Sequence, residues 1–262
     1  MDDLVATHAA DNTHEANRIG FYGALTAAFG VLGSGPVALL VVAQLHPQPP
    51  WLGPATFAQH YHGLQVLPYA LGFSLVMGFV ALFASLHALA SPARRARSAF
   101  ALLCATIFAT LICFNYAVQT TFVPTLVHNY DSANGALLSS LTMSNPESLG
   151  WALEMWGYAF LGLATWLAAG FFTGPGLERA VRWSFVANGP ISLLAACWTA
   201  YRPGWEASDA GLLGFALWNV LAFAMATFAV LVFRARLRGR TRSKRPAASR
   251  RTNDALHIEF SP

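Results

Sequence analysis

Charge is scarce in this chain. Only 11% of its 262 residues are charged, with 12 acids and a single lysine, Lys244. A soluble domain is usually about one quarter charged. The shortage is also uneven, because arginines crowd the segment after Phe233. Long stretches therefore carry no charge at all. That excludes a soluble globular enzyme, an intrinsically disordered chain and a secreted disulfide scaffold. A polytopic membrane protein is left.

Other groups are missing too. There are three cysteines, Cys104, Cys113 and Cys197, all inside apolar runs and none in a C-x-x-C spacing. Neither a zinc site nor a dithiol redox motif is supported, and small core residues are expected instead. No H-E-x-x-H, Walker loop or acidic metal cluster occurs. Lys244 lies in the tail, so no spanning lysine is placed for a Schiff base. Histidines are too few inside the apolar runs for transmembrane bis-histidine haem. His46, His60 and His62 fall in one proline-broken segment with no acid beside them, which reads as interfacial histidines rather than a metal site. His87 lies near the end of the second run. Gly33-Ser34-Gly35 is only superficially like a hydrolase elbow, since no histidine is placed to activate Ser34. No metal and no cofactor is called for.

What is present is apolar sequence. Hydrophobic residues make up 55% of the chain. Six long runs cover 19–45, 63–90, 98–127, 149–173, 183–201 and 210–233. Each is long enough to cross a hydrocarbon layer of about 30 Å at roughly 1.5 Å per residue. The expected fold is all-α, a six-helix transmembrane domain over 19–233. It is flanked by an acidic tail, 1–18, and a basic, disordered tail, 234–262. The first 18 residues lack the basic opening of a signal peptide, so the run from Ile19 is expected to be a retained helix.

Arginine sets the direction. Arg94, Arg95 and Arg97 lie in the second connection, Arg179 and Arg182 in the fourth, and nine basic residues in the tail. The first and third connections have none, and the fifth has Arg202 alone. Six crossings place every basic segment and both termini in the cytoplasm. Trp51, Trp151, Trp183, Trp198 and Trp205 lie near run ends, as an aromatic belt requires. The net charge of +4 resides mostly in the tail, which suits anionic lipid rather than nucleic acid. The third connection is long enough for a short helix or lid, with Asn145, Pro146 and Glu147 reading as a helix start.

Two proline motifs interrupt the runs: Gly35-Pro36, after Gly33-Ser34, and Asn188-Gly189-Pro190. Kinks are expected at both, and their similar flanks admit a parallel repeat. Such breaks either shape packing or expose backbone to a substrate. Gly23, Ala27, Gly30 and Ser34 form a small-residue seam, whose partner is either internal or a second subunit.

Polar groups inside a membrane are expensive, so each marks a candidate position. Glu154 is the one acid well inside a run, with Tyr158 four residues on. Asn115 and Gln119 are also four apart. If the third and fourth helices are neighbours, these four side chains meet at one depth, either as a polar ligand pocket or as an interhelical clasp. Asn188 and Asn219 lie deeper and suit bridging between helices.

Asn115 to Gln119, Pro124, Asn145-Pro146, Leu153-Glu154, Gly157-Tyr158 and Trp218-Asn219 resemble the motifs of a bacterial family of integral membrane proteins catalogued only as a domain of unknown function. The resemblance spans the third to the sixth run and implies no activity. Arginine in place of lysine and abundant alanine fit a bacterial inner membrane. Three functions are open: binding or transport of a small amphipathic or lipid-like molecule, an accessory or scaffold subunit, including a homo-oligomer, and a membrane enzyme using Glu154.

Overall fold

The computed structural model describes residues 2–243; the basic segment 244–262, including Lys244, lies outside the described residues. Ten α-helices are joined by short 3₁₀ and π-helical turns, and the described residues contain no strand. They are α1 (Asp2–Leu32), α2 (Ala38–Leu45), α3 (Pro54–His60), α4 (Leu67–Ala88), α5 (Arg95–Ala117), α6 (Val123–His128), α7 (Gly135–Leu141), α8 (Leu149–Ala168), α9 (Leu177–Tyr201) and α10 (Asp209–Ser243).

Four helical stretches are long and apolar enough to cross a membrane: Asp11–Leu45, Gly63–Ala88, Pro92–His128 and Asp209–Gly239. The protein is accordingly membrane-embedded. Helices satisfy their own backbone hydrogen bonds, which is what lipid demands. The fourth and fifth apolar runs also fold as long helices, α8 and α9, of 20 and 25 residues. Glu154 and four tryptophans and tyrosines dilute α8, and Glu178, Arg179 and Arg182 open α9.

Several expectations change. Residues 2–18 are helical and continuous with the first apolar run in α1, and α10 continues through the first arginines to Ser243. Arginine is a good helix former, so its charge moves the chain out of lipid without ending the helix. The Gly33–Val37 segment is a π-helical turn around Pro36, whereas α9 passes Pro190 without interruption. The two similar strings thus adopt different backbones. A second π-helical turn, Val118–Phe122, precedes Pro124. Proline donates no amide proton, and widening the turn before it is one way a helix absorbs the loss. Asn145 does not start α8. Its carbonyl accepts from the Ser148 amide at 3.1 Å and its Oδ1 from the Glu147 amide at 3.2 Å, closing a tight turn. Ser148 is the residue that precedes α8. Cys104 is buried, but Cys197 is exposed.

The core lies where α1, α4, α5, α8, α9 and α10 converge. Phe79, Phe83, Phe108, Phe172, Phe185 and Phe233 are among its largest fully buried side chains. The small-residue seam of α1 is filled from within the chain. A Cβ on Gly23 would lie 2.8 Å from the Leu82 amide nitrogen, and one on Gly30 would overlap the Leu75 backbone. Gly78 of α4 comes equally close to Ala27.

The two ends of the bundle differ in chemistry. At one, Arg94 Nη1 donates to the Gly170 carbonyl at 2.9 Å, and Arg97 Nη2 to the Trp166 carbonyl at 3.4 Å. Both cap the carbonyl end of α8, where positive charge is favoured. Arg236 bridges α10 to Glu178 at 2.9 Å over the Phe172 and Phe233 rings. At the other end the first, third and fifth connections meet. Ser144 Oγ donates to Gln48 Oε1 at 3.2 Å, and Gly204 lies against Pro146 and Glu147. There α3, α6 and α7 form a small cap around buried Phe57, Val123, Leu126 and Leu138.

Candidate functional site

The polar residues of α5 and α8 meet directly beneath that cap. Asn115 Nδ2 donates to Glu154 Oε2 at 3.0 Å and to the Gly150 carbonyl at 3.1 Å. Tyr116 Oη donates to Glu154 Oε1 at 3.0 Å, so each carboxylate oxygen has its own donor. The Tyr116 and Tyr158 hydroxyls are 3.3 Å apart. Gln119 Nε2 donates to Asn115 Oδ1 at 3.2 Å and to the Leu141 carbonyl at 2.8 Å. The Met143 amide returns a bond to Gln119 Oε1 at 3.2 Å, and Trp151 Nε1 donates to the Met143 carbonyl at 2.8 Å. The segment after α7 is thereby stitched across the top of the cluster.

All four residues singled out in the sequence come together. Tyr158 reaches Glu154 through Tyr116, which helical spacing alone did not nominate. The signal was present, because Tyr116 adjoins Asn115 on a helix whose buried face is broad enough to carry both.

Aromatic rings surround the carboxylate. Tyr69 and Phe73 of α4 pack on Tyr116, with ring centroids 5.6 and 5.9 Å away. Phe108 and Trp218 pack on Tyr158 at 5.5 and 4.5 Å. Gly72 faces the Tyr116 ring so closely that a side chain there would overlap it.

Burial separates the members of the cluster. Asn115, Tyr116 and Gln119 are buried. Glu154 lies on the stripe of α8 that contains buried Gly150, Gly157, Leu161, Ala164 and Thr165, yet it keeps accessible surface itself. Tyr69 and Tyr158 do likewise.

A second network lies deeper. Asn188 Nδ2 donates to Thr165 Oγ1 at 3.0 Å, while Asn188 Oδ1 accepts from Trp218 Nε1 at 3.0 Å and Ser192 Oγ at 3.1 Å. Trp218 thus touches both networks. Gly189 lies against Trp166 and Gly35 against Asn219, whose Nδ2 bonds its own helix at the Phe215 carbonyl. Of the two proline motifs, Gly35, Asn188 and Gly189 are buried, whereas Pro36 is exposed and Pro190 half-buried. The histidines of the first connection are spread over local contacts: His46 stacks on His62 at 3.5 Å, and His60 Nδ1 pairs with the Thr56 carbonyl at 2.9 Å. Among the described residues no group of three His, Cys, Asp or Glu side chains is arranged for a metal.

Comparison with protein-family models, curated proteins and solved structures finds no match to this chain. The motif resemblance of the third to sixth runs rests on those short motifs alone.

Proposed function

We propose that the Glu154 cluster binds, or passes on, a small amphipathic or lipid-like molecule, with its polar head at the carboxylate. The observation that carries this reading is the convergence of a carboxylate, two tyrosine hydroxyls and two side-chain amides among aromatic rings where α5 and α8 meet. The aromatic walls supply the apolar, shape-fixing part of a small-molecule site. The motive for a scaffold role is weaker, because α4 fills the small-residue seam.

The same proposal places the chain in a bacterial inner membrane, with six crossings and both termini cytoplasmic. The lengths of α8 and α9 support the count. The clustering of Arg94, Arg97 and Arg236 at one end supports the direction. The basic tail would lie on anionic lipid of the inner leaflet.

Native mass spectrometry of gently extracted protein tests the binding reading. Wild type is expected to retain a small adduct that Glu154→Gln loses, with the variant still folded by circular dichroism and melting within a few degrees of wild type. A bare wild-type mass, together with a large drop in the melting temperature of the variant, would identify Glu154 as a clasp.

A further inference from the structure

We infer that the cleft between the beginning of α1 and the end of α4 holds a phosphatidylethanolamine, with its phosphate at Arg18 and its ammonium at Glu15 and Asp11. The cleft has a volume of about 740 Å³, within the roughly 300–1,000 Å³ of small-molecule sites. It lies at the arginine-bearing end of the bundle, opposite the cap over Glu154. Ser85 Oγ donates there to the Ala16 carbonyl at 2.7 Å, tying the two helices together. Gly23 and Gly78 form the floor of the cleft. Both are buried where the helices meet backbone to backbone, and neither has a side chain to fill the margin. Tyr22 and Met77 stand exposed beside them.

The cleft crosses the edge of the apolar zone. Tyr22, Thr26, Met77 and the two glycines belong to the first two apolar runs and bring no charge. The rim carries Asp11, His14, Glu15 and Arg18. One groove is thus uncharged along its length and charged at its mouth, which is the polarity of a phospholipid. A soluble partner would reach the rim alone.

The charges at the rim choose the head group. Asp11, Glu15 and Arg18 are exposed, and among the described residues none of them forms an ion pair. Arg18 directly precedes the apolar run from Ile19, the depth at which a long basic side chain meets lipid phosphate. His14, one turn further out, offers a second donor. Glu15 and Asp11 lie about 4.5 and 10.5 Å outward of Arg18 along the axis. A zwitterionic head carries its ammonium two carbons beyond the phosphate, so one molecule meets Arg18 and Glu15 together. An anionic head would leave both carboxylates opposed to it. A trimethylated ammonium has no proton to donate to them, whereas a primary ammonium has three.

The test mixes the delipidated full chain in detergent with equal amounts of dioleoyl phosphatidylethanolamine and dioleoyl phosphatidylcholine and counts bound lipid by native mass spectrometry. The two lipids share chains, phosphate and net charge, so the basic tail does not separate them. Wild type is expected to take phosphatidylethanolamine about two- to fivefold in preference, the range open to exposed charge pairs. The double variant Asp11→Asn, Glu15→Gln should lose that preference. Thr26→Trp, which fills the cleft from an exposed position, should lose the first bound lipid. The lipids are compared on wild type, so the test stands even where a variant fails to fold. Equal uptake of the two lipids by wild type overturns the inference. A preference that survives both variants places the lipid elsewhere, the Glu154 cluster included, and overturns the cleft as its site. A dimer mass that Thr26→Trp reduces to a monomer assigns the cleft to a second copy of the chain and overturns the lipid.

Discussion

Asn188 sits where α8, α9 and α10 meet, and its carboxamide serves all three. Interhelical hydrogen bonds inside a membrane are individually modest, averaging about 0.6 kcal/mol. Removing this hub leaves the Trp218 indole N–H without its acceptor, and an unsatisfied buried donor adds its own penalty. Asn188→Ala is expected to lower stability by roughly 1–3 kcal/mol, read as an earlier unfolding transition in detergent; an unchanged transition would exclude the hub. Glu178 acts at the basic end, one turn before the apolar part of α9. Partial burial alone would raise its carboxyl, but hydrogen bonds from Arg236 and the Gly174 amide outweigh it and hold the carboxyl below its usual range. A depressed folded value means the contribution is fully present above the ordinary carboxylate range and disappears as pH falls through the folded value. Acidification should therefore weaken this end, and Glu178→Gln should flatten the acid limb of the melting curve against pH. Salt should shrink the effect, because a quarter of the side chain is exposed. At this scale the sequence was most readable for Asn115, Gln119, Glu154 and Tyr158, since rare polar residues in apolar runs stand out. Tyr116 did not, because an aromatic on an apolar face looks like ordinary core until its hydroxyl has a partner.

Among the elements, α1 and α4 approach most intimately, glycine to backbone. At Gly30 even one methyl meets the Leu75 main chain, which cannot rotate away as a side chain would. Gly30→Ala is expected to destabilise by about 1–3 kcal/mol through forced separation of the helices. Gly63→Ala, with nothing within 4 Å of its Cβ, should leave the melting temperature unchanged. Equal effects of the two would refute a tight seam. Helix positions were largely legible, because an apolar run must become a helix in lipid. Proline geometry was not: Pro36 sits in a π-helical turn and Pro190 in continuous helix. The local string is nearly the same, and what differs is the neighbour, Asn219 against Gly35 and Trp166 against Gly189.

For the whole molecule, the charge pattern and the contacts agree on two unlike ends. A cysteine-free background carrying Ser132→Cys should react with an impermeant maleimide on intact cells, whereas Ala93→Cys should react only after permeabilisation; the reverse pattern would invert the proposed direction. The sequence disclosed the ends because arginine is rare enough to be mapped residue by residue. It allowed a short helix or lid in the third connection, where α7 lies, but not the cap over the Glu154 cluster, which depends on α6 and α7 folding back on α3. That cap hangs on the π-helical turn Val118–Phe122. Loss of one residue there would rotate α6 by about 100°, swinging Val123 and Leu126 off Phe57 and Leu138 while leaving Asn115 and Tyr116 where they are. Length variation among descendants of this chain is thus expected between α6 and α7, where residues 129–134 are largely solvent-facing, and forbidden a few residues earlier. The spacing from Asn115 to Leu126 is then a more durable signature of the lineage than the identity of most residues within it.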